Sequence, residues 1–263
     1  MSKNMNAIKD ATGQAIWAAF NGKYGFEVVE RDDGFVVGGT TAQYFSKFKE
    51  WLPHEKRAIK YAKGKVLDIG CGAGRHAIYL QNKGLDVTAI DVSPLAIKVC
   101  KKRGLKKAKV MSIDEVSKLK TKFDTILLLG NNWGLLQNFR KARKILFDLS
   151  KITSDRAIII AESSDPTKQL EPEQIEYQKQ NLKKGRMLGQ RRIRIRFRNY
   201  CSDWFDYLGV SKTEMEKILK NTGWGVKRYF DSERSSEKTC SANAPHHAAL
   251  SFRFATLGTP NTG

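Results

Sequence analysis

Three closely spaced glycines are the residues of this sequence whose pattern points most directly to chemistry. Residues 66–76, VLDIGCGAGRH, place an apolar run before the spacing G-x-G-x-G. Glycine permits the backbone angles of a tight strand-to-helix turn and lets a bound ligand lie against the main chain. About twenty residues later a second apolar run, 87–90, ends in Asp91, where a βαβ nucleotide fold places the acid that binds ribose hydroxyls. Together these features predict a site for a nucleoside-containing cofactor.

The acidic residue before the glycines indicates which cofactor fits. A dinucleotide fingerprint needs a third glycine where this chain has Arg75, and a pyrophosphate gains nothing from the nearby carboxylate of Asp68. S-adenosylmethionine (SAM) carries no phosphate and has cationic amino and sulfonium groups, so an acidic, glycine-rich floor suits it better. The stretch resembles motif I of the class I SAM-dependent methyltransferases, an apolar run followed by D/E-x-G-x-G-x-G. The alternative is a tight turn without a ligand.

This resemblance implies an α/β, Rossmann-like fold with a mostly parallel seven-stranded sheet. It also implies SAM as the methyl donor and S-adenosylhomocysteine as the product. In that family the acid that ends the second strand binds the ribose, a role that falls on Asp91, and an acid after the third strand, here Asp114, binds the adenine amino group. The residues expected to contact the cofactor are Asp68, Gly70, Cys71, Gly72, Gly74, Asp91, Val92, Ile113, Asp114, Leu129 and Gly130.

The loop 130–134 is the expected place of the methyl acceptor. It follows a near-continuous apolar run, 123–129, that predicts a strand buried on both faces, and ligands of open parallel sheets sit beyond the carboxyl ends of the strands. The loop lacks the Asn/Asp-Pro-Pro-aromatic motif of enzymes that methylate base amines. Its sequence, LGNNW from position 129, is similar to the Leu-Gly-Asn-Ser-Phe loop of glycine N-methyltransferase-like enzymes. Asn131, Asn132 and Trp133 are therefore candidates to orient a substrate, unless they only contact adenine or shape the loop.

No catalytic acid, base or metal is predicted. Methyl transfer from a sulfonium is an in-line displacement that alignment and desolvation can carry. His76 is expected to make a helix-terminal hydrogen bond or a packing contact rather than to act as a base. His246 and His247 have no partner ligands in the sequence pattern, so we predict no metal site.

The composition is strongly basic. Lysine and arginine number 47 against 27 aspartate and glutamate, a formal net charge of +20. The excess is compatible with a nucleic acid partner, an anionic small substrate or plain solubility. Cysteines at positions 71, 100, 201 and 240 lie far apart in sequence, without the spacing of a zinc site or a disulfide framework. With no export signal or membrane span recognised, a soluble, cytoplasmic protein is expected.

An arginine-rich strand keeps the nature of the acceptor open. Residues 191–198, RRIRIRFR, alternate strictly and place isoleucines and a phenylalanine on one face. The opposite face carries Arg192, Arg194, Arg196 and Arg198. This face either tracks phosphates, which supports an RNA- or ribosome-directed methyltransferase, or is a solvated sheet surface. A further alternative is a SAM-binding protein without transferase activity.

The sequence divides into three segments. Residues 1–60 are expected to form an N-terminal lid, and residues 61–230 the SAM-binding domain, with a small β insertion at about 165–210 after the fifth strand. Residues 231–263 form an atypical tail, in which 250–255 supply the last strand of the fold or else belong to a disordered segment. The lid, the LGNNW loop and the missing Pro-Pro motif favour a small-molecule acceptor over nucleic acid.

Overall fold

Two β-sheets organise the molecule. The computed structural model describes residues 7–231 and the backbone of a further strand, Phe252–Gly258. The strands are β1 (Phe26–Arg31), β2 (Val36–Thr40), β3 (Lys65–Ile69), β4 (Asp86–Asp91), β5 (Lys107–Val110), β6 (Phe123–Leu128), β7 (Thr153–Ser164), β8 (Gly189–Phe197), β9 (Tyr200–Cys201), β10 (Phe205–Gly209), β11 (Gly225–Asp231) and β12 (Phe252–Gly258). The α-helices are α1 (Ala11–Phe20), α2 (Pro53–Ile59), α3 (Arg75–Asn82), α4 (Pro94–Lys102), α5 (Phe139–Lys151), α6 (Pro172–Lys183) and α7 (Lys212–Leu219).

The large sheet has the order β11-β12-β7-β6-β3-β4-β5. Strand β12 runs antiparallel to both of its neighbours, and the other pairs are parallel. This arrangement confirms the predicted α/β, Rossmann-like fold with a mostly parallel seven-stranded sheet. Strand β12 overlaps the predicted last strand at 250–255, whereas His246 and His247 lie outside the described residues.

Local sequence chemistry sets the boundaries of the βα units. Helix α4 begins where Ser93 accepts a hydrogen bond from the backbone N–H of Ala96 and is followed by a first-turn proline, as the sequence predicts. The sequence predicts a short third strand at 109–112, but β5 differs from it, because Ser112 instead caps a short 3-10 helix, Ile113–Lys118. The strand consequently lies two residues earlier in the chain.

The small sheet joins two segments that are far apart in sequence. Its order is β10-β8-β1-β2, with β9 paired to the end of β8. The N-terminal hairpin β1-β2 therefore pairs with the arginine-rich strand of the insertion, Val28 opposite Arg196 and Arg31 opposite Ile193. The predicted hairpin partner of that strand, residues 203–208, corresponds to β10. Lid and insertion thus share one sheet.

The core lies on both faces of the large sheet. Strand β6 is buried along its apolar run, as predicted for a central strand. On one face its residues pack with α5 and α7, and on the other with α2, α3 and α4. None of the helices within 7–231 combines the length and apolarity needed to cross a membrane.

Helix α1 packs directly on the glycine turn. Ile16 is 0% exposed and belongs to an apolar cluster with Ala73 of the turn and with Ala96 and Val99 of α4. The helix is capped by Asp10, whose carboxylate accepts a hydrogen bond from the hydroxyl of Ser93 at 2.8 Å. The N-terminal segment is therefore fixed to the two loops that follow β3 and β4.

We expect Ile16→Ala to lower the free energy of unfolding by about 2–5 kcal/mol, because it leaves a cavity between α1 and the glycine turn. The measurement is urea unfolding of the full chain. Leu170→Ala is the control, since that side chain is 65% exposed, and it should change stability by no more than about 0.5 kcal/mol. Equal effects of the two substitutions would contradict the packing of α1.

Candidate active site

The turn after β3 has the left-handed backbone that the glycine spacing predicts. Gly70, Gly72 and Gly74 have φ values of +70°, +54° and +80°, which side chains other than glycine rarely adopt. A Cβ atom on Gly70 would lie 2.6 Å from Nδ2 of Asn132, and one on Gly72 would lie 2.8 Å from Cδ1 of Tyr44. Neighbouring side chains therefore approach the turn too closely for any residue with a Cβ.

Asp91 holds this turn from the end of β4. One carboxylate oxygen accepts a hydrogen bond from the backbone N–H of Gly72 and the other from that of Ser93, each at 2.9 Å. Burial raises the pKa of Asp91 to about 6. Val92, the next residue, is 47% exposed. Asp91, the residue predicted to bind the ribose, therefore lies beside the glycines. Its carboxylate already holds the turn through these hydrogen bonds.

Asp68 lies beneath the turn and has an unused acceptor. Its side chain is 2% exposed, and Oδ2 makes no hydrogen bond to the described part of the chain. Burial raises the pKa of Asp68 to about 7, although the charge of Arg75 opposes the shift. A buried carboxylate without a partner is costly. The position suits a cationic group, and the amino group of SAM is one, so the residues present fit this cofactor.

The loop after β6 is fixed by hydrogen bonds on both sides. The backbone N–H groups of Gly130 and Asn131 donate to Oε2 of Glu162, at 2.6 and 3.2 Å. The side-chain amide of Asn132 donates to the carbonyls of Ile69 and Gly70, each at 2.8 Å. Asn132 therefore shapes the loop and connects it to the glycine turn.

The other two substrate-orienting candidates differ in exposure. Trp133 is 0% exposed and lies in the core on the α5 and α7 side of the sheet, which favours the alternative that it shapes the loop. Asn131 has a left-handed backbone, φ +64°, and its side-chain oxygen is buried without a hydrogen-bond partner among the described residues. The indole nitrogen of Trp133 also lacks a hydrogen-bond partner among the described residues, so each of these two side chains keeps one buried, unpaired polar atom.

The residues predicted to surround the adenine take different positions. Ile113 and Leu129 are buried. Asp114 is exposed, and its carboxylate forms an ion pair with Lys141 at 2.9 Å. Binding of the adenine amino group by Asp114 stays a prediction, and it requires the carboxylate to share or leave this lysine.

Tyr44 covers the glycine turn from the N-terminal segment. Its hydroxyl donates to Oε2 of Glu27 at 2.9 Å, and burial raises the pKa of both groups. The ring lies over Gly72, at the face of the turn where a ligand would contact the main chain. Tyr44 therefore connects the N-terminal hairpin to the glycine turn.

A buried charged cluster borders the turn on the other side. Nε2 of His76 donates to Oε1 of Glu55 at 2.5 Å, and the guanidinium of Arg75 approaches the same oxygen at 2.7 Å. Burial and the charge of Arg75 lower the pKa of His76 to about 4, so its ring is neutral at pH 7. The predicted helix-terminal hydrogen bond of His76 is present.

Two features of the site have little or no signal in the sequence. Glu162 directly follows the apolar residues of β7, and an acid at that position is the only hint of its contact with the loop. Burial raises its pKa to about 7, and the carboxylate of Glu55 adds to the shift. Cys71 and Cys100, which are distant in sequence, have thiols 3.7 Å apart under the turn. Both are free thiols.

Three of the four arginines on the outer face of the arginine-rich stretch form ion pairs, and they share two acids. Arg194 and Arg196 both form ion pairs with Glu30 of β1, at 2.6 and 2.5 Å. Arg192 pairs with Asp206 of β10 at 3.3 Å. Within the described residues, no group of histidine, cysteine, aspartate or glutamate side chains is arranged to hold a metal ion.

Comparison with known proteins adds the family. Residues 66–155 match the methyltransferase domain family. The chain is 33% identical over 99 residues to the mitochondrial ubiquinone biosynthesis O-methyltransferase of Schizosaccharomyces pombe, a match covering 32% of each chain. It is 39% identical over 54 residues to the ubiquinone biosynthesis O-methyltransferase of Xylella fastidiosa, covering 20% of this chain and 22% of that one. The matches thus span about a third or less of these curated relatives.

The fold is similar over a much longer stretch. A SAM-dependent methyltransferase from Bacteroides fragilis, crystallised with S-adenosyl-L-homocysteine, has a TM-score of 0.75 with 98% of each chain covered and 24% identity. A SAM-dependent methyltransferase from Methanosarcina mazei has a TM-score of 0.56 and 18% identity, with 80% of this chain and 98% of that one covered.

The strand order, the glycine turn and these neighbours define a class I SAM-dependent methyltransferase fold. The match to the methyltransferase domain family covers residues 66–155, about a third of the chain.

Asp68→Asn should remove a pH dependence of stability. The pKa of Asp68 is raised from 3.8 to about 7 by folding, so the folded state holds an extra proton between these pH values and stability falls as pH rises through them. Relative to the wild type, the variant should gain up to about 1.4 kcal/mol per pH unit in this window. Urea unfolding of both proteins without cofactor at pH 4.5, 6 and 7.5 measures the difference. A constant difference would contradict the buried, unpartnered carboxylate.

Proposed function

We propose that this protein transfers a methyl group from SAM to a small-molecule acceptor by in-line displacement. The observation that carries the proposal is the covered glycine turn, with Tyr44 over Gly72 and α1 packed on Ala73. A site covered in this way suits an acceptor small enough to be enclosed, and enclosure excludes the water that would compete with it.

The residues around the turn have distinct roles in this proposal. Bound SAM supplies a methyl group on a sulfonium, an activated leaving group. Asp68 accepts the amino group, because its free oxygen is buried under the turn, and Asp91 accepts the ribose hydroxyls. Glu162 and Asn132 hold the loop that follows β6, so that the acceptor is aligned with the methyl carbon rather than activated by a strong base.

Two considerations bear on the acceptor. The curated relatives are named as O-methyltransferases, which supports a hydroxyl oxygen as the methyl acceptor. Three of the four arginines that would track RNA phosphates pair with Glu30 and Asp206, which reduces the positive charge that this face offers to RNA. The net charge of +20 keeps RNA as an outcome to be tested.

The test is transfer of labelled methyl from SAM into a cell extract divided into RNA, protein and small-molecule fractions. Label in the small-molecule fraction is expected, and it should disappear with Asp91→Ala. Label confined to RNA would show that the acceptor is RNA and not a small molecule. SAM binding without label in any fraction would favour a binding protein without transferase activity.

Asp91→Ala should weaken SAM binding roughly 10- to 100-fold, because a charged hydrogen-bond acceptor is lost from the ribose site and from the turn. Asp86→Ala is the matched control. It lies at the opposite end of the same strand, where its exposed carboxylate pairs with Lys107, and should leave the affinity unchanged. Equilibrium dialysis with labelled SAM measures both, and thermal unfolding checks that each variant is folded. Unchanged affinity in folded Asp91→Ala would refute the cofactor site.

A further inference from the structure

Strand β8 also carries Arg191, which lies on the face opposite to the acid-paired arginines. Strand residues alternate between faces, so Arg191 shares its face with Ile193 and Ile195 rather than with Arg192. Its Cα lies opposite that of Tyr207 in β10. In an antiparallel pair, such opposed residues project to the same side of the sheet.

That side faces the carboxyl ends of the central strands. The hydroxyl of Tyr207 donates to the carbonyl oxygen of Asn131 at 2.7 Å, and its ring packs against Gly134. Nη2 of Arg191 donates to Oγ of Ser164, the last residue of β7, at 2.8 Å. Arg191 therefore lies between the end of β7 and the loop expected to face the methyl group.

The charge of this guanidinium has no counter-ion within the described residues. Arg191 is half-buried, its hydrogen-bond partner Ser164 is neutral, and no carboxylate oxygen lies within ion-pair distance of it. Burial lowers its pKa. Arg31, on the same face of the small sheet, pairs instead with Asp33 at 2.7 Å.

A partly buried cation without an acid is unfavourable unless a ligand supplies the anion. Guanidinium binds carboxylates in a planar, two-bond geometry that neutral polar groups do not reproduce. The ring of Tyr207, whose Cα lies opposite that of Arg191 and which packs against Gly134, provides flat apolar surface on the same side of the sheet. These features together suit an aromatic acid.

We propose that Arg191 binds a carboxylate on the methyl acceptor and thereby selects anionic, aromatic small molecules. The proposal rests on the proposed methyltransferase function for the identity of the ligand as the acceptor. The acid-paired arginines of the outer face take no part in it.

The test uses the full chain saturated with S-adenosylhomocysteine and two matched probes, benzoate and uncharged benzyl alcohol, with binding followed by saturation-transfer NMR and titration. Benzoate should bind the wild type at least tenfold more tightly than benzyl alcohol. Arg191→Gln should weaken benzoate about 10- to 100-fold and leave benzyl alcohol unchanged. Arg191→Lys should retain part of the preference, because it keeps the charge.

Arg192→Gln is the matched control, since it removes the adjacent arginine on the opposite face. It should leave benzoate binding unchanged. Equal binding of both probes to the wild type, absence of benzoate binding, or equal losses in Arg191→Gln and Arg192→Gln would each overturn the proposal. So would a weaker affinity of Arg191→Gln for SAM, which would place the guanidinium on the cofactor.

Labelled methyl transfer separates this proposal from the proposed function. Products from the small-molecule fraction should bind an anion-exchange resin at pH 7 and should fall at least tenfold with Arg191→Gln. Neutral products that the variant does not reduce would support the methyltransferase function and contradict the carboxylate site. Arg191-dependent benzoate binding without any transfer would keep the anion site and discard the transferase.

Discussion

The backbone of the turn between β3 and α3 is the constraint on which the rest of the site depends. The N–H groups of Gly70 and Cys71 both donate to the carbonyl of Ile90, which joins the ends of two neighbouring strands. Asp91 then accepts from Gly72, so the second strand holds the turn through side chain as well as main chain. The loop after β6 reaches the same turn through Asn132, and the N-terminal segment reaches it through Tyr44. Four segments meet where only glycine permits the approach.

This convergence brings carboxyl groups into a poorly hydrated place. Burial raises the pKa of Asp68 and of Glu162 to about 7, and that of Asp91 to about 6. Asp91 and Glu162 are compensated by backbone N–H groups, whereas Asp68 keeps one oxygen without a partner in the described chain. A cationic ligand supplies what that oxygen lacks. The buried carboxylate of Asp68, which disfavours a phosphate, is therefore also a group that a cationic cofactor stabilises.

The βα units of the large sheet could be predicted because their signals are local. The apolar run before the glycines forms β3, and α3 begins directly after them, since the signals of an apolar run and a glycine turn each act within a few residues. Strand β5 lies earlier in the chain than the sequence predicts, because Ser112 and Glu115 form a capping box that begins a helix and so competes with strand extension. The pairing of the N-terminal hairpin with β8 had no local signal, because register between segments more than 150 residues apart depends on tertiary contacts. The contacts of Glu55 and Glu162 could not be predicted for the same reason, since they join residues that are distant in the sequence.

The arginine-rich strand β8 shows that a sequence pattern predicts the face on which a residue lies but not the residue with which it pairs. Alternation correctly separated the two faces of β8, but it could not show that Glu30 of the N-terminal hairpin lies against one of them. Arg191, on the face that the pattern made apolar, is the arginine of β8 whose only side-chain partner among the described residues is a neutral serine. The match to the methyltransferase domain family covers residues 66–155, and the strands of the small sheet lie outside that range. The proposed acceptor site therefore depends on β8 and β10, where the partly buried Arg191 and the ring of Tyr207 lie beside the loop that follows the central strand.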